Sequence, residues 1–173
     1  GYEFAYTPHI SKSELFEKSG HLGFYRESMY PGLESEGTSY HLKPMNCPMH
    51  NLIFESKLRS YRELPIRIFE LGTVYRFEKS GQMHGTARAR GFTQDDSHIY
   101  CTQEQVVPIL NELLDFVLYM LRILGFEKFE ADLSTKPEKA IGVQSQWDLA
   151  EGALKDALDK SGLPYKVAEG EGA

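Results

Sequence analysis

IRIFELGTVYRFEKSGQMHGTARARGFTQDDSHIY, residues 66–100, holds two runs of strand-forming residues around one polar loop. Residues 66–78 read as a strand and 91–100 as its return, with KSGQMHGTARAR between them. Side chains two apart on a strand share a face, so Arg76 pairs with Glu78 and Asp96 with His98, while Asp95 points the other way. Arg88 and Arg90 fall at the return of the loop, and Phe92 opens the second strand. A hairpin of this kind, without regular βαβ alternation elsewhere, predicts an α+β domain: an antiparallel β-sheet flanked by helices.

The flanks agree with that class. Tyr2, Phe4 and Tyr6 alternate toward Pro8 as a strand does. SKSELFEKS (11–19) reads as a short serine-capped helix ending at Gly20. PGLESEG (31–37) reads as a polar loop, and 47–58 as a helix with Asn46 for its N-cap and Pro48 in the first turn. Thr102 and Gln105 form a capping box before VVPILNELLDFVLYMLRIL (106–124), which is apolar on most faces and predicts a buried helix ending at Gly125. FEKFEADLS (126–134) alternates as a strand, and 145–160 form an amphipathic helix closed by Gly162 and Pro164.

The chain of 173 residues can bury a substantial core, and no internal linker or repeat divides it, so one domain is expected. Its composition, 41% hydrophobic and 25% charged, is that of a globular protein. A net charge of −6 argues against a nonspecific nucleic-acid coat. No apolar run is long enough to span a membrane, and two cysteines without secretory features point to a reducing, cytoplasmic setting. The strand-like start GYEFAYTP and the glycine-rich finish AEGEGA read as an excerpt of a longer protein.

Two constellations carry chemistry. Arginines near an aromatic ring suit a nucleotide, because the guanidinium fork binds phosphate bidentately and the ring offers a face for a base. The plainer reading is a solvated hairpin whose arginines pair with nearby carboxylates. Cys47, in KPMNCPMH (43–50), is either a small buried residue or a metal ligand. At the first turn of a helix its thiolate is expected to be favoured. His50, in C-x-x-H spacing, and His98 are rival partners, and spacing does not choose between them.

KPMNCP (43–48), RSYRELP (59–65), YRFE (75–78), RGFTQDDSH (90–98), LSTKPEKAIG (133–142) and GEGA (170–173) together resemble the catalytic domain of the threonyl-tRNA synthetase family, class II of the aminoacyl-tRNA synthetases. The resemblance covers essentially the whole chain, from the end of motif 1 through motif 2 and beyond. Motif 3 and the editing and anticodon-binding domains have no counterpart in it. It implies ATP-dependent activation of L-threonine to an adenylate and transfer to tRNA(Thr), in a homodimeric full-length enzyme. Carried over residue by residue, Arg76 binds the α-phosphate, Glu78 the adenine amino group and Arg88 the γ-phosphate, while Phe92 stacks on adenine and Mg2+ accompanies the phosphates. Met45, Gln94 and Asp96 line the threonine pocket. Cys47 and His98 hold a Zn2+ ion with a third histidine outside this chain, which makes His50 a bystander. The same resemblance implies that the chain alone is inactive. The alternatives are a non-catalytic synthetase-like domain kept for binding or assembly, and a class II synthetase for serine or proline.

Overall fold

In the computed structural model, which describes residues 1–138 and 140–172, the second run pairs over its full length and the first over 66–75 only, so Arg76 and Glu78 fall just past the strand they were read on. Lys139 of LSTKPEKAIG and Ala173 of GEGA lie outside the described residues. The chain divides into two compact units, Gly1–Tyr100 and Cys101–Ala173, although no run of linker residues marks the boundary.

The first unit contains β1 (Glu3–Phe4), β2 (Ile10–Lys12), α1 (Ser13–Lys18), α2 (His21–Phe24), β3 (Leu33–Ser35), β4 (Thr38–Leu42), α3 (Cys47–Glu55), β5 (Ile66–Tyr75) and β6 (Gly91–Tyr100). β5 and β6 are antiparallel, and β1 joins β5 in parallel, so the sheet is mixed where an antiparallel one was expected. The second sheet, β2–β4–β3, is antiparallel. Its β3–β4 hairpin lies partly in the stretch read as a loop, and turns through Glu36 and Gly37, both at positive φ. A glycine at the second of those positions relieves the left-handed strain and lets the short strands meet. On α3, Met49 is buried in one cluster with Phe16 of α1 and Met29, and this anchors one side of the helix.

The second unit contains α4 (Val106–Ile123), β7 (Ala131–Ser134), α5 (Gln144–Ser161) and β8 (Tyr165–Ala168). The capping box at Thr102 and Gln105 forms as expected, and Gly162 caps α5 in the left-handed conformation. β7 and β8 are parallel neighbours joined through α5, a βαβ unit that the sequence reading did not contain. α4 was expected to be buried. Instead Ile109 is its one buried residue, and Phe116, Tyr119 and Ile123 are exposed.

What fixes α3 over the β5–β6 hairpin is polar. β5 alternates buried and part-exposed positions, and Glu70 falls on the buried face among Ile66, Ile68 and Val74. Its side chain is 1% exposed and that of Lys43, the first residue of KPMNCP, is 0% exposed. Lys43 Nζ lies 3.1 Å from Glu70 Oε1 and donates also to the Thr7 hydroxyl at 2.8 Å. Thr7 donates to Glu70 through its backbone N–H, at 2.9 Å, and through its hydroxyl. His50 Nε2 completes the shell, 3.0 Å from Glu70 Oε2. A carboxylate is tolerated at this depth because every donor around it is aimed at it. Burial works to raise the Glu70 pKa, but the bonds from Thr7, Lys43 and His50 outweigh it and hold the carboxyl below its ordinary value.

Gly72 makes a second close fit. It pairs with Gln94 in the ladder, and the Asn46 carboxamide lies where a Cβ would go. Asn46 begins α3, but its side chain does not cap the helix. It donates to Asp96 Oδ2 at 2.9 Å.

Two outcomes are expected. An alanine in a strand ordinarily gains about 0.5–1 kcal/mol over glycine, so Gly72→Ala tests the fit by its sign. Overpacking against Asn46 should lower stability by about 1–3 kcal/mol in urea unfolding; a gain would contradict the close approach. The second concerns acid. Because the folded pKa of Glu70 lies below the unfolded one, the unfolded chain takes up that proton first as pH falls. Its stabilisation is whole above the ordinary value of 4.5 and is lost below it. The stability gap between the protein and Glu70→Gln should therefore be widest near neutrality and close on acidification; a gap independent of pH would contradict an ionised Glu70.

Candidate active site

Phe92, Gln94, Asp96 and His98 form a half-buried row along β6, while Gly91, Thr93, Asp95 and Ser97 between them are exposed. Directly opposed residues of an antiparallel pair share a face. The row therefore lies on the side of β5 that carries Val74, Gly72, Glu70 and Ile68. The expected division of the DD pair holds: Asp96 faces inward with His98, and Asp95 faces out.

The KPMNCP segment lies against this row at two points. Asn46 bonds Asp96, and His50 Nδ1 lies 2.7 Å from His98 Nδ1, the two rings meeting edge to face with centroids 4.7 Å apart. Cys47 sits between these contacts at the first turn of α3, half-buried and free of any disulfide. Its thiol departs from the sequence expectation. Burial pushes the pKa up, the Asp96 carboxylate pushes it further, and the backbone N–H contribution at the helix start does not overcome them. The thiol is the resting form unless a cation joins it.

His98 moves the opposite way. Burial lowers its pKa despite the pull of Asp96, which favours the neutral imidazole that binds metals. Nδ1 of His98 is engaged by His50, and Nε2 has no hydrogen-bond partner among the described residues. A free thiol and an imidazole with one unused nitrogen are a soft donor pair that fits zinc. Among the described residues no three metal-ligating side chains cluster.

At the other end of the row, the Arg76 guanidinium lies over the Phe92 ring, 5.1 Å from its centroid, and Nε donates to the Pro44 carbonyl at 3.3 Å. Arg76 and Arg90 continue the backbone ladder past the strand ends, which brings the hairpin's arginines to the mouth of the row. Arg90 donates to the Glu78 carbonyl and to Ser80. Arg88 Nε pairs with Glu78 Oε2 at 3.0 Å, with the Arg88 side chain 53% exposed. For these two residues the solvated-hairpin reading describes what is present. An exposed pair of this kind is worth about 0–1 kcal/mol, so a polyanion can replace it. Met45 is half-buried beside Asn46, and neither its side chain nor that of Gln94 has a hydrogen-bond partner among the described residues.

The structure thus joins Asp96 and His98 to the Cys47 segment, and Arg76 to Phe92. His50, read as a bystander to the metal, is fully buried and hydrogen-bonded between Glu70 and His98. Glu70, Lys43 and Thr7 were missed as well. One signal was available, since a glutamate on the inward-facing alternation of IRIFELGTVY needs a buried cation and further donors.

The chain resembles known proteins throughout its length. The tRNA synthetase class II core domain family (G, H, P, S and T) matches residues 30–163. A threonine–tRNA ligase from Nitrosococcus oceani is 57% identical over 173 residues, covering 100% of this chain and 27% of the relative. One from Sulfurihydrogenibium sp. is 52% identical, again over 100% of this chain and 27% of its own length. The chain spans about a quarter of these curated relatives. A crystal structure described as the RNA binding domain of threonyl-tRNA synthetase from Cryptosporidium parvum superposes with a TM-score of 0.88 at 42% identity, covering 99% of this chain and 42% of that one. With well over half its residues matched, and with its hairpin, KPMNCP helix and inward-facing row in place, the chain belongs to the class II tRNA synthetase core domain family.

Proposed function

We propose that the chain is the ATP- and threonine-binding part of a threonine–tRNA ligase, which activates L-threonine as the adenylate and transfers it to tRNA(Thr). The observation that carries this reading is the single inward row of β6: Arg76 covers its Phe92 end, and Cys47, Asn46 and His50 border its Asp96–His98 end. A nucleotide and an amino acid bound along one row would meet between those ends, which is what an attack of carboxylate on the α-phosphate requires.

In this reading Arg76 binds the α-phosphate as charge develops there. Phe92 stacks the adenine, sharing its ring with Arg76. Glu78 and Arg88 separate, the first accepting from the adenine amino group and the second reaching the γ-phosphate, with Mg2+ on the phosphates. Met45 and Gln94 shape the amino-acid pocket, and Asp96 accepts from the threonine hydroxyl. Cys47 and His98 hold Zn2+, with a third histidine from beyond this chain. Zinc bound there supplies direct ligation of the threonine amino and hydroxyl groups. Ligating the hydroxyl rejects valine strongly, whereas serine differs by one methyl, worth about 1–3 kcal/mol, and is rejected weakly. The enzyme is read as cytoplasmic and homodimeric. Among the described residues no helix is long and apolar enough to cross a membrane.

The intact enzyme should exchange pyrophosphate into ATP when given threonine but not when given proline. Exchange with proline alone would defeat the reading. Cys47→Ala should remove zinc and adenylate formation together, and full activity without metal would count against the ligand assignment. The two aspartates give an internal control. Losing a hydrogen bond to a charged group costs about 1.5–3 kcal/mol, so Asp96→Asn should weaken threonine use by about 10–150-fold. Asp95→Asn, on the exposed face, should leave it unchanged. Equal effects at the two positions would mean that the inward row is not the amino-acid site.

A further inference from the structure

We infer that His50 is a positioning residue of the metal site: clamped by Glu70, it holds His98 as the Nδ1–H tautomer and so presents Nε2 of His98, and no other ring nitrogen, to the metal. This rests on the zinc reading above and adds to it a residue that contacts neither metal nor substrate.

The protons between these groups can be counted. Glu70 accepts from the Thr7 N–H, the Thr7 hydroxyl and Lys43 Nζ, so it meets His50 as a carboxylate with nothing to donate. The proton in the 3.0 Å contact between His50 Nε2 and Glu70 Oε2 therefore belongs to His50. A neutral imidazole carries one N–H, which leaves a lone pair on Nδ1 of His50. That nitrogen lies 2.7 Å from Nδ1 of His98, a hydrogen-bond distance that needs one proton between the two nitrogens. His98 must supply it. Its remaining nitrogen, Nε2, then holds the lone pair and has no partner among the described residues.

The competing arrangement has His50 as imidazolium, donating from both nitrogens. His98 would then accept at Nδ1 and carry its proton on Nε2, where no metal could bind. Charge disfavours this state. The single negative charge of Glu70 is already matched by Lys43, and both side chains are at most 1% exposed. The other carboxylate near these rings, Asp96, faces His98 and is bonded by Asn46, so a second cation on the fully buried His50 would have no carboxylate of its own. Geometry adds rigidity, because His50 is held on α3 by the burial of Met49 beside it and the two imidazoles meet at 88°. Ligating histidines generally need such a partner to fix tautomer and ring orientation, and losing it costs about 10–100-fold in metal affinity.

The test uses the intact enzyme and a pair of variants of similar size. A glutamine carboxamide places a donor N–H and an acceptor oxygen across one carbon, much as imidazole places its two nitrogens, so His50→Gln can keep both contacts. His50→Leu fills the space and keeps neither. Zinc affinity is read by chelator competition well below the unfolding temperature, with the visible spectrum of the cobalt-substituted enzyme as a second readout. His50→Leu should bind zinc about 10–100-fold more weakly with altered cobalt bands, and His50→Gln within about threefold of the parent enzyme. Glu70→Gln, which reads the relay from its far end, should weaken zinc by about tenfold and keeps the test decisive if His50→Leu does not fold. Equal affinity in the Leu and Gln variants overturns the inference, as does parental affinity in Glu70→Gln when His50→Leu does not fold. In either case a parent enzyme that holds zinc and a Cys47→Ser variant that loses it leave the functional reading standing. A parent enzyme that binds no zinc at all removes both.

Discussion

One carboxylate organises the inward face of the β5–β6 hairpin. Glu70 lies 1% exposed on the buried side of β5 and gathers Thr7 from the N-terminal segment, Lys43 from the start of KPMNCP and His50 from α3. Those donors come from two separate parts of the chain, around Thr7 and within KPMNCPMH. Each would bear a desolvation penalty alone, and together they form a satisfied network whose disruption at any one member leaves the rest unpaired in a low-dielectric interior. The network explains why KPMNCP is held against the hairpin with no disulfide: Cys47 and Cys101 are both free.

Function is built on top of that clamp. With α3 fixed, Asn46 reaches Asp96 and His50 reaches His98, so two of the inward side chains of β6 are oriented by residues outside the strand. The Phe92 end is looser. Arg88 and Glu78 meet in an exposed pair, and Arg76 rests on Phe92, contacts that a ligand can exchange at small cost. In the proposed function, a rigid end at Asp96 and His98 beside a yielding end at Phe92 suits a site that would read one methyl and one hydroxyl while admitting a large, flexible triphosphate.

Much of this was legible from alternation alone. The β5–β6 hairpin and the placement of Asp96 and His98 on one face with Asp95 on the other follow from period-two reading, and the start of α3 at Cys47 follows from the helical pattern of 47–58. What was missed shares a cause: tertiary partners that local pattern does not contain. Asn46 has the right identity for an N-cap but is drawn to Asp96. Cys47 has the helix position that favours thiolate, yet burial and Asp96 push it the other way. PGLESEG looks like a loop because its strand, β3, is three exposed residues held by its neighbour's ladder. The apolar wealth of α4 predicted burial, and the described residues leave much of that face uncovered. His50 was set aside as an idle neighbour of Cys47, because nothing within KPMNCPMH reveals that Glu70 and His98 lie on either side of its ring.

Everything proposed for this site turns on which nitrogen of His98 would face a bound metal. A crystal structure of the intact zinc-bound enzyme, with diffraction recorded at the zinc absorption edge, reads this without reference to activity. The predicted result is a zinc peak shared by the Cys47 sulfur and Nε2 of His98, with Nδ1 of His98 still turned to His50. Zinc on Nδ1 of His98, zinc on His50, or a metal remote from Cys47 would contradict it.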